Sequence, residues 1–435
     1  MRNIIQLTLG LLCIVLLQTA LAEVGEESID WTDANQEQFQ DYAVRSLNRR
    51  DALLNEYWPH YWLNQRYLEL NLANSRPLSD VIVVNLKSSA VNAFAMPGNL
   101  IGMHQGLWNF ADSEDEFLSV LAHEMSHISL NHFSRLSNNQ TEQGWLTTSG
   151  ILLAVILSQQ NADLASATFL SSLAAANQNS LTFSQAMELE ADQFGHQLLE
   201  KSQYDAQAAR SFFQRLSSEP LSGETYEFLR THPYGSTRAS RLSNEASDQS
   251  TYADDEVTAF DVIKFLFMDS AANSQQDNPF LDRQSQDQTN DPNVLMGWLE
   301  YNYRETGDRD NYIEQLSGLI ADYRGFLPAY FRRLELMSQQ NTNKQQQCAA
   351  YQEFNRLIRN QKVTLDVIRT MAQLAERCQA EQQPEWHVQL LWQSGQEQQA
   401  IGYLKRIIGQ EQNTNLLASR RALLETLEQS AQRFR

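Results

Sequence analysis

Five consecutive residues, His123-Glu124-Met125-Ser126-His127, constrain this chain more than any others. On a helix, positions four apart lie one turn apart on one face, so both imidazoles can reach one point. Glu124 stands beside that pair, placed to take a proton from water there. The flanking sequence expects a helix: Ser113 and Glu116 give a Ser-x-x-Glu capping pattern ahead of Phe117-Leu118 and Val120-Leu121. This helix is expected to continue through the histidines to about Leu136. Upstream, residues 81–86 are a β-branched strand, Pro97-Gly98 turns the chain, and residues 100–103 form a returning strand. The bland reading is a pair of satisfied core histidines. Against it stand the rarity of histidine, 8 in 435 residues, and a strand pair followed by an amphipathic helix.

A metal held by two histidines needs a third ligand from another segment. His132 follows His127 by five residues, and Leu130 offers no turn, so His132 is expected to stay on the continuing helix. Glu188 is the better candidate, in Met187-Glu188-Leu189-Glu190-Ala191-Asp192. Glu188 and Asp192 are four apart and share a face. Glu188 can therefore bind metal while Asp192 accepts a hydrogen bond from a ligand histidine. A solvated acidic face is the alternative. Glu190 falls on a different face and reads as structural, and His196 packs or caps. Histidines and a carboxylate suit Zn2+, with the fourth position left to water whose pKa falls to around 7.

The HExxH helix, the Glu-Leu-Glu-Ala-Asp segment and Asn92-Ala93-Phe94-Ala95-Met96-Pro97-Gly98 resemble the HtpX-like and CAAX-prenyl-protease-like zinc metallopeptidases. That resemblance implies His123, His127 and Glu188 as zinc ligands, Glu124 as catalytic base and Asp192 as the carboxylate behind a ligand. It implies that Asn92, Ala93, Phe94, Ala95 and Met96 flank the cleft and take an extended substrate by strand addition. It extends to Thr231-His232-Pro233, with Arg238 six residues after the histidine. There His232 approaches the metal as a transition-state donor or an extra ligand, and Arg238 stabilises an oxyanion or binds substrate carbonyls. The alternative is that His232 caps a helix. Two departures stand out: Asn99 where the family often has a second Gly, and Gln185 where it often has Arg.

The remaining sequence frames this centre. Residues 1–22 read as a signal peptide: a basic start, an apolar run and Ala20-Leu21-Ala22 before polar Glu23. An uncleaved anchor is the competing reading. Export places Cys348 and Cys378 in an oxidising compartment, the periplasm, where a bridge is expected over two buried thiols. The apolar run at 151–157 is too short to span a bilayer and reads as a buried or lid helix, with at most peripheral membrane contact. Residues 146–200 are expected to hold two or three helices. With 53 acidic against 33 basic residues, the surface repels phosphate, which argues against nucleic acid.

The domains expected are a metallopeptidase at 23–250 and a helical repeat region at 256–435, with a long loop at 272–292. The expected fold is an α+β zincin-like domain, mostly helical with a small sheet, followed by an all-α tetratricopeptide-type array. Its cue is a large residue, a Gly turn, then Ala, Tyr and Leu at helical spacing, around Gly307 and Gly395. The resemblance implies partners for that array: unfolded or stalled outer-membrane β-barrel proteins, the β-barrel assembly machinery and the lipopolysaccharide translocon. The competing function is a chaperone or assembly adaptor whose gated zinc site cleaves rarely.

Overall fold

The computed structural model describes residues 33–137, 185–202, 204–218, 228, 232, 257–268, 279–281, 289–339, 343–359 and 361–433. The signal segment, the apolar run at 151–157, most of 146–200, Arg238, the boundary near residue 250 and most of 272–292 lie outside them.

Two helices open the described chain, α1 (Asp33–Arg49) and α2 (Tyr57–Ala73). Three strands follow: β1 (Ile82–Leu86), β2 (Ala93–Met96) and β3 (Leu100–His104). The sheet order is β1-β3-β2, with β1 parallel and β2 antiparallel to β3. All five residues of β3 are buried, as a central strand requires. The β2–β3 turn depends on positive φ, +82° at Gly98 and +56° at Asn99. A Cβ on Gly98 would also stand 2.9 Å from the Gln36 carbonyl oxygen of α1. Gly98 is thus fixed by both torsion and space, while Asn99 tolerates its left-handed conformation.

The short helix α3 (Gln105–Phe110) leads to α4 (Glu114–Ser129), which carries the HExxH residues. Ser113 accepts from the Glu116 N–H at 3.2 Å, as a cap should. The Glu116 carboxylate, however, accepts from the Asp112 N–H at 2.9 Å, so the reciprocal half of the box lies one residue upstream. One expectation is corrected here. The helix does not continue to Leu136: it ends at Leu130, Asn131 takes φ +54°, and α5 (His132–Ser137) starts afresh. The asparagine supplies the turn that Leu130 cannot, because Asn enters the left-handed region at low cost.

Next come α6 (Gln185–Lys201) and α7 (Ala208–Ser218), then α8 (Ala259–Ile263), which runs into a π-helical turn at Lys264–Met268. The C-terminal region is all helical: α9 (Pro292–Thr306), α10 (Arg309–Asp322), α11 (Leu327–Ser338) and α12 (Lys344–Leu357). It continues through α13 (Leu365–Arg377), α14 (Gln383–Gln393), α15 (Glu397–Gln410) and α16 (Thr414–Arg433). Gly307 and Gly395, both at positive φ, separate α9 from α10 and α14 from α15. A disulfide joins Cys348 of α12 to Cys378 at the end of α13, with Cα atoms 5.6 Å apart. No helix among the described residues is long and apolar enough to cross a membrane.

One apolar core runs from α2 and α4 into α9–α13. The aromatic cluster of α2 bridges it. Trp62 packs on Trp108, whose ring stacks on Phe260 of α8, while Tyr57 meets Phe331 and Phe354 edge-on. At the same junction Asp366, in the first turn of α13, accepts the Tyr57 N–H at 3.1 Å.

Burial pushes the Asp366 carboxyl up to about 7 from its ordinary 3.8. A carboxyl raised in the folded state favours folding at acidic pH, and that contribution is lost as pH rises through 7. Asp366→Asn cannot ionise. Its melting temperature relative to wild type should therefore improve by several degrees between pH 5 and pH 8, read by thermal melts. A pH-independent difference would refute the shift.

Candidate metal centre

Two helices far apart in sequence build the site. Helix α4 offers His123 and His127 from one face, and α6 brings Glu188 and Asp192 from one face, as the four-residue spacings require. Gly195 lets them approach: a Cβ there would lie 3.3 Å from the Ala122 carbonyl carbon and the His123 nitrogen.

His123, His127, Glu188 and His232 each present a donor atom, all within 4.8 Å of one another and all buried. His127 Nε2 stands 3.1 Å from His123 Nε2. Glu188 lies 3.3 Å from His123 Nε2 and 3.7 Å from His127 Nε2. His232 Nδ1 is 3.4 Å from His123 Nε2 and 3.2 Å from Glu188. Donors about 2.0–2.1 Å from a tetrahedral ion are separated by roughly 3.3–3.4 Å, so these spacings fit one small divalent cation. Nitrogen and carboxylate donors suit zinc among others.

The electrostatics follow from burial. Burial opposes charge on Glu188, yet His232 and His123 hold its carboxyl well below the usual range. Burial likewise opposes a charged His123, but hydrogen bonding to Asp192 and Glu188 raises it to about 10 in the metal-free protein. His127 is driven well below its ordinary value by burial and by neighbouring His123. Glu124, fully buried, is pushed up by burial, with His232, His123 and the Ala95 backbone pulling the other way. Its Oε1 lies 3.3 Å from His232 Nε2. His123 Nδ1 lies 3.1 Å from Asp192 Oδ1, where the carboxylate can fix the imidazole.

Strand β2 borders this centre and has β3 on one side only among the described residues. The His104 N–H donates to the Asn92 carbonyl at 3.1 Å, so in an antiparallel ladder Ala93 and Ala95 turn their peptide groups to the free edge. The Ala93 N–H is taken by Asn92 Oδ1 at 3.0 Å. Phe94 and Met96 pack into the core around α1.

Residues 58–246 match the model of Peptidase family M48. This segment is an M48 metallopeptidase domain. The chain is 31% identical over 232 residues to the Beta-barrel assembly-enhancing protease of Escherichia coli (strain K12), covering 52% of this chain and 47% of that protein. The same-named protein of Yersinia pestis is 30% identical over 234 residues, 53% and 48% of the two chains. Metalloprotease LoiP of Escherichia coli is 26% identical over 182 residues, 41% and 66%. The chain spans about half the length of the Beta-barrel assembly-enhancing proteases it matches.

The structure brings His123, Glu124, His127, Glu188, Asp192 and His232 of the M48 domain together, whereas Arg238 is outside the described residues. His232 is held from behind: its N–H donates to the Phe228 carbonyl at 2.8 Å and its ring stacks on Phe228. Phe228, fully buried against Phe212 and Phe213, escaped the sequence reading, although Phe228 sits one helical turn before His232. The expectation for His132 is corrected: it does not stay on α4, and its Nδ1 reaches His127 Nδ1 at 2.9 Å while its Nε2 meets Glu190, a structural partner, at 3.3 Å. The turn at Asn131 makes this possible. His196 pairs with Glu200 at 3.4 Å, and His104 packs against Phe94.

The approach at Gly195 should control the centre. Gly195→Leu is expected to lower metal affinity at least ~10-fold, the scale of lost ligand support, with far-UV circular dichroism unchanged. Metal content after dialysis checks it; full retention would show that the two helices tolerate separation.

Proposed function

We propose that this chain is a zinc-dependent endopeptidase of the periplasm that acts on outer-membrane β-barrel proteins. The observation that carries the reading is four buried donors beside Glu124, bordered by strand β2, which pairs on one side only among the described residues. His123, His127 and Glu188 hold the ion, and Asp192 orients His123. A divalent ion bound there supplies Lewis acidity toward a carbonyl and toward water. Glu124 takes the proton of the attacking water and delivers it to the leaving amine nitrogen. Residues 92–96 align the substrate as an added strand, to which Ala93 and Ala95 turn carbonyls on the side away from β3. Arg238 completes the site by binding substrate carbonyls.

Export rests on the signal-like residues 1–22. The substrate class rests on the names of the relatives. The domains are the metallopeptidase at 23–250 and a tetratricopeptide-like array at 256–435, which offers a surface for unfolded barrel proteins, the barrel assembly machinery and the lipopolysaccharide translocon.

One observation favours the second reading, an assembly adaptor that cleaves rarely. His232 Nδ1 supplies a fourth donor, and four protein ligands close a site that catalysis needs open. His232 then acts as a gate whose withdrawal admits water.

Glu124→Gln should lower cleavage of casein and of unfolded barrel precursors by ~10²–10⁴-fold while zinc stays bound. Full proteolysis by that variant would sink the enzyme assignment. Restoration of barrel assembly in cells by the same inactive variant would favour the adaptor.

A further inference from the structure

His127 has a support on the side away from the donor cluster. Its Nε2 faces the cluster, 3.1 Å from His123 Nε2 and 3.7 Å from Glu188 Oε1. A ligating nitrogen offers a lone pair, so neutral His127 carries its proton on Nδ1. That atom lies 2.9 Å from His132 Nδ1, and a hydrogen bond between two ring nitrogens needs one donor and one acceptor. His132 must therefore accept at Nδ1 and keep its own proton on Nε2, which lies 3.3 Å from Glu190 Oε2. Glu190 is fixed in turn by both terminal nitrogens of Arg135, at 2.5 and 3.3 Å.

We infer that His132 is a positioning residue of the metal centre, accepting the Nδ1 proton of His127 and tying its ring orientation to Glu190 and Arg135. The inference rests on the metal-site reading above. It gives the second ligand histidine a counterpart to Asp192, which serves the first. It also explains the break at Asn131. A continuing helix would carry His132 away from His127, whereas the turn folds a fully buried imidazole back against it.

The test measures zinc affinity of the full chain by competition with a chromophoric chelator, alongside cleavage. His132→Leu removes the acceptor and should weaken zinc binding by ~10–100-fold, the usual cost of losing such a support. His132→Asn places an amide oxygen near the position of Nδ1 and should recover most of the affinity, which mere filling of space would not achieve. Glu190→Gln, on a side chain 42% exposed, should give a smaller loss in the same direction. Zinc binding by folded His132→Leu as tight as wild type would overturn the inference, as would an Asn variant no better than Leu. If His132→Leu does not fold, Glu190→Gln decides: weakened zinc binding supports the relay, and unchanged affinity overturns it. A wild-type chain that binds no zinc removes the metal-site reading itself. Normal wild-type binding with an indifferent His132→Leu removes only this inference.

Discussion

The close approach of α4 and α6 is the constraint on which the rest of the molecule depends. Two helices whose backbones touch at Gly195 set the distance between the His123–His127 face and the Glu188–Asp192 face. A side chain at that point would widen the gap, and ligand spacings near 3 Å leave little room for adjustment. The approach also excludes water, so Glu188 is buried as a charge and needs its histidines. A buried carboxylate without them would be unfavourable by several kcal/mol. The helix pairing and the charge pairing therefore require each other.

A second set of contacts ties the centre to the C-terminal helices. Gln40 of α1 donates to the carbonyls of Gly98, Asp80 and Asn99 around the β2–β3 turn, while its own oxygen accepts from Lys362. Arg45, almost fully buried, lies over the Trp392 ring and bonds Asp41 and Glu397. Helix α1 thus holds the hairpin that ends the free strand edge with one face and α14–α15 with the other. Together with the shared core through Tyr57 and Trp62, these contacts couple the helical region to the M48 domain.

What was legible in the sequence follows from period and spacing. His123 and His127, and Glu188 and Asp192, sit four apart on helices, and that periodicity is a local property. The Ser113 cap and the Gly turns at Gly307 and Gly395 are local too. Features set by distant partners were not legible. The parallel pairing of β1 with β3 joins segments across β2, and nothing in either strand alone records it. The reversal at Asn131 was missed because asparagine permits a left-handed turn without demanding it. That single torsion sets His132 against His127, with Glu190 behind His132. Arg45 gave no signal of burial because its partners, Trp392 and Glu397, are some 350 residues away.

The charge arrangement around the centre also accounts for which groups are free to do chemistry. Glu188 and Asp192 supply two negative charges close to the donors, matching a divalent ion with no net charge left to bury. Glu190 lies outside that balance and is neutralised by Arg135 at the surface. Glu124 is the carboxylate left over: fully buried, raised by that burial, and facing His232. A group whose proton is not committed to holding the structure is the one that can exchange it with substrate. His232 touches both Glu188 and Glu124, so one imidazole links the donor cluster to the base.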